Sequence, residues 1–81
     1  MGWQKHVDEG IRNALTKEPI SNYWVAVHSK EQAEWGYEKA REIIMEFELS
    51  QDISMLDQLH FRVILSDDEK ERFPVGTLIN F

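Results

Sequence analysis

The chain contains no cysteine. Disulfides and thiolate metal sites are therefore excluded, and packing alone must hold the core. Proline and glycine are sparse, at two and four residues. Neither G-x-G-x-x-G nor a Walker loop occurs, and Pro74-Val75-Gly76-Thr77 reads as a turn, not a phosphate cradle. No apolar run approaches the ~20 residues that a membrane span needs. The N-terminus, Met1-Gly2-Trp3-Gln4-Lys5-His6, lacks a hydrophobic signal region. His6 stands where a myristoylation signal would carry Ser or Thr. Bases are also few, nine against fifteen acids, for a formal charge of −6. Direct nucleic-acid binding and polybasic membrane anchoring both draw on a basic patch, and none is visible. The expectation is a soluble cytoplasmic protein that binds neither nucleic acid directly nor membrane.

What is present suits a small globular unit. Eighty-one residues make one domain, 1–81, near the lower end of what folds without staples. The 42% hydrophobic fraction is ordinary, but three Trp, four Phe and two Tyr are generous for this length. Aromatics bury large areas each, which suits a small core. The chain shows no internal repeat, linker or low-complexity tract and reads as complete.

Trp3, Val7, Ile11, Ala14 and Leu15 recur at helical spacing and predict a first amphipathic helix over 2–16. Gly10 lies inside it at a cost of about 1 kcal/mol relative to Ala. Pro19 closes the segment, because the residue before a proline avoids helical angles. Residues 22–28, centred on Tyr23-Trp24-Val25-Ala26-Val27, are β-branched and aromatic and predict a strand. Its nearly continuous apolar character suits a central strand covered on both faces. Ser29 and Gln32 form a capping-box pattern that opens a long helix over 29–48. Residues 49–58 lose the period and read as a loop with one helical turn around 53–56. Alternation of Leu59, Phe61, Val63 and Leu65 with His60, Arg62 and Ile64 predicts a second strand. Ser66 and Glu69 repeat the capping-box pattern before a short acidic helix through Arg72. Residues 77–81 suit a third strand, with Val75, Thr77, Ile79 and Phe81 on one side.

The expected class is α+β, a small α/β sandwich. About three strands form a mixed sheet packed with one long helix, an N-terminal helix and a short third helix, in the order α-β-α-β-(α)-β. The strand–helix–strand segment predicts a parallel crossover. The direction and order of the last strand stay open.

The long helix has two unlike faces. Ala33, Gly36, Tyr37, Ala40, Ile43, Ile44 and Phe47 form the apolar one. Glu34, Glu38, Glu42 and Glu46 form a ridge of like charges four residues apart, each pair costing roughly 0.2–0.5 kcal/mol. Arg41 can offset part of this through Glu38. Over 30–48 three bases meet six acids. A local rule broken without visible compensation is where function is expected. Trp35 lies nearly opposite the apolar stripe, with Glu31, Glu38 and Glu42 around it and Met45 further along. An aromatic ringed by carboxylates suits docking to a basic protein surface. The first helix, or a second copy of the chain, could instead cover Trp35.

Catalytic and metal chemistry find little support. His6, His28 and His60 show no H-x-x-x-H or H-E-x-x-H spacing, although His28 and His60 could approach one site with Asp57 or Asp67 if their strands are neighbours. The serines at 21, 29, 50, 54 and 66 lack a G-x-S-x-G elbow. Tyr23, Trp24 and Phe61 resemble a base-stacking platform, but only Arg62 stands near to serve it. No enzyme activity, metal or cofactor is expected. The leading reading is a small acidic protein-binding module that occupies a basic surface of a partner, as an inhibitor, adaptor or antitoxin-like protein does, of the sort phages or mobile elements carry. Its partner-binding residues are Glu31, Glu34, Trp35, Glu38, Glu42, Met45 and Glu46. A sharper form is nucleic-acid mimicry, with Asp67, Asp68, Glu69 and Glu71 as a second cluster. The ridge alone is sparse for that: its rungs stand ~6 Å apart, against a charge every ~1.7 Å along duplex DNA. Two alternatives remain. One is a structural homo-oligomer, such as a homodimer, pairing through 77–81 or the Trp35 face. The other is a small-ligand regulatory domain with a pocket near Tyr37 and His60.

Overall fold

The computed structural model describes residues 2–46 and 54–80. Elements follow in the order α1 (Gly2–Leu15), a 3-10 turn (Ile20–Asn22), β1 (Tyr23–Val27), α2 (Lys30–Glu46), α3 (Ser54–Gln58), β2 (His60–Val63), α4 (Asp67–Arg72) and β3 (Leu78–Asn80). The sheet is mixed, in the order β2-β1-β3, with β1 parallel to β2 and antiparallel to β3. The α+β class expected from the sequence is therefore the one observed. Among the described residues, no helix is long and apolar enough to cross a membrane. The expected roles of Phe47 in the apolar stripe and Phe81 in the last strand fall outside the described residues.

β1 is central because it has the most to hide. Val25, Ala26 and Val27 are fully buried. In register, Val25 sits between Phe61 and Leu78, and Trp24 between His60 and Ile79. Residues alternate across a sheet. Val25, Phe61 and Leu78 thus share the face that meets α1 and α2, while Trp24, His60 and Ile79 share the other. The core joins Val7, Ile11 and Ala14 of α1 to Val25, Val27 and Phe61 of the sheet and to Ala33, Ala40 and Ile43 of α2. Burying each Val or Ile contributes about 1.5–3 kcal/mol, which is how a cysteine-free chain of this size holds together.

Two glycines let the layers approach. A Cβ on Gly36 would lie 2.7 Å from the Phe61 ring and 3.3 Å from Val7, so α2 settles onto β2 only because that atom is missing. A Cβ on Gly10 would lie 2.6 Å from the Gly76 carbonyl. The mid-helix glycine that looked costly in the sequence is the seat of the β3 turn. There Gly76 N–H donates to the Ala26 carbonyl at 2.8 Å, and Ala26 N–H donates to Thr77 at 2.9 Å.

Local signals held in part. At α2, Ser29 Oγ accepts from Gln32 N–H at 3.1 Å, while the Gln32 side chain accepts from His28 N–H at 2.8 Å. The box closes one residue earlier than the simplest form. At α4, Ser66 makes no side-chain cap bond, and Glu69 instead reaches Arg62 at 3.8 Å. The strand expected over 77–81 is shorter in the described residues. Its expected one-sided stripe also breaks: Val75 and Leu78 pack on the core while Ile79 sits beside Trp24. The cause is Gly76, whose φ of +91° turns the chain and resets the alternation.

The segment from α4 to Phe73 touches the sheet on the face opposite α1 and α2. Glu69 meets Arg62 there, and the Phe73 carbonyl lies 2.9 Å from His28 Nε2. This connection carries the chain from the β2 edge to the β3 edge.

Candidate functional site

The outer surface of α2 carries the charge pattern. With about 100° per residue, Ala33, Gly36, Ala40, Ile43 and Ile44 turn inward together and Glu31, Glu34, Glu38, Glu42 and Met45 turn outward together. The inward set is buried and the outward set exposed, Met45 at 69%. Among the described residues, none of Glu31, Glu34, Glu38 and Glu42 has a basic group within ion-pair distance. The offset expected from Arg41 to Glu38 is not formed.

Glu46 differs. Arg12 of α1 reaches it at 3.3 Å while holding Asp8, one turn back on its own helix, at 3.2 Å. The bond to Asp8, with Glu46 adding to it, raises the pKa of the Arg12 guanidinium above its ordinary value. The lowest rung of the ridge therefore ties α2 to α1. Arg12 and Glu46 lie 34 residues apart, and only the spacing of Asp8 and Arg12 hints at this clamp in the sequence.

Trp35 is not opposite the core. It is half-buried, and its ring meets that of Trp3 edge-on, with centroids 5.4 Å apart and planes at 82°. The cover from the N-terminal helix, left open by the sequence, is present. The buried sector of α2 is centred nearer Gly36 and Ile43 than a stripe including Tyr37 implies, so Trp35 rotates to the α1 flank. Tyr37 rotates to the opposite flank, 42% exposed, with its ring 4.7 Å from Phe61.

Other expected groupings do not assemble. Tyr37 lies on the helix side of the sheet, whereas His60 faces away, its ring 5.1 Å from Trp24. At Gly36, helix α2 sits directly on the Phe61 ring. A described groove lies elsewhere, between the 15–20 connection and Gln58. The aromatic platform divides: Phe61 is buried under α2, while Trp24 faces the other way. His28 lies just past β1 and His60 opens the neighbouring β2, but His28 bonds the Phe73 carbonyl and His60 packs on Trp24. Among the described residues, no group of three His, Asp or Glu could hold a metal. Of the α4 acids, Glu69 pairs with Arg62 of β2.

The ridge makes a stability prediction. Converting Glu34, Glu38 and Glu42 together to Gln removes like-charge contacts and should raise the melting temperature by a few degrees. The gain should shrink in high salt. Thermal melts at two ionic strengths measure it, and an unchanged or lower melting temperature would mean these charges are compensated.

Comparison with protein-family models, with curated proteins and with solved structures returned no match.

Proposed function

We propose that this chain is a protein-binding module that acts by occupying a basic surface of a partner protein, in the manner of an inhibitor or adaptor. The observation that carries the reading is the outer face of α2, where exposed, unpaired Glu31, Glu34, Glu38 and Glu42 form a row that leads to the exposed Met45 near the helix end. A row of carboxylates steers a cationic surface, and an apolar side chain at its end gives that surface something to bury. The glutamates accept the like-charge cost within the free protein, and a basic partner would relieve it. The apolar anchor passes from Trp35, which is engaged with Trp3, to Met45; Trp35 borders the face and Glu46 closes it through Arg12.

The test compares wild type with Glu34→Lys/Glu38→Lys/Glu42→Lys. Proteins captured from native cell extract by wild type should be lost with the triple variant. Their affinity should fall steeply with salt. Met45→Ala should weaken the same complex by about tenfold and leave the fold intact. A partner that binds the reversed variant equally well, with affinity independent of salt, would remove this face from the explanation.

A further inference from the structure

We draw no further inference here: the strongest candidate, the half-buried Trp3–Trp35 pair where α1 meets the glutamate row of α2, borders the face already described, and nothing in the structure shows what covers it.

Discussion

Gly76→Ala is expected to destabilise the protein by about 3 kcal/mol and to lower its melting temperature by roughly 15 °C. Two penalties act at once. The φ of +91° is one that side-chain-bearing residues rarely adopt. A Cβ there would also collide with the backbone carbonyl of His6 on α1, which cannot swing aside as a side chain can. Gly10→Ala probes the same contact from the helix. Its methyl group would favour α1 by about 1 kcal/mol, yet it would lie 2.6 Å from the Gly76 carbonyl and 3.0 Å from Val25. The net sign should be destabilising. A total stability of about 4–12 kcal/mol is typical for this length, so either change consumes a large share of it. Urea and thermal melts measure both. If Gly76→Ala melts like wild type, the turn does not press on α1.

The second large effect lies on α2. Ile43→Ala should cost about 2–5 kcal/mol, because Ile43 is fully buried and its cavity is bounded by two helices and the sheet. Met45→Ala, two residues along, should leave the melting temperature within about 2 °C of wild type. The pair separates the two faces of one helix: truncation inside removes packing, and truncation outside removes only surface. The difference also protects the reading of binding experiments. A Met45 variant that loses its partner while keeping its melt has lost a contact and not a fold. Equal melts for Ile43→Ala and wild type would mean α2 is not seated as described.

Much of the fold was legible in the residues. The 3.6-residue period of Val7, Ile11 and Ala14 placed α1, and the short β-branched run placed β1. Alternation at Phe61 and Val63 placed β2, and the parallel crossover followed from the order strand, long helix, strand. These signals are local: each depends on neighbours within a turn or two. The outward direction of Glu34, Glu38 and Glu42 was equally readable, because an apolar stripe on one side of a helix turns the other side to solvent.

The candidate site was readable only in outline for the same reason. Trp35 and Tyr37 both lie near the border between the two faces, where about 100° per residue leaves the assignment to whichever neighbour arrives. Trp3 arrived on one flank and Phe61 on the other. The Arg12–Glu46 clamp, the seating of Gly10 against Gly76 and the reset of alternation before β3 join residues far apart in sequence. No window along the chain contains both members of those pairs.

Composition and periodicity were enough to set the class of fold, the absence of cysteine chemistry and a glutamate-rich helix surface, since each depends on residue type and short-range spacing. Strand order, the partial cover of Trp35 by Trp3 and the contact of Phe73 with His28 came from the packing of distant segments. Such contacts compete for the same few surfaces, and the winner is chosen by the shape and volume of the whole molecule.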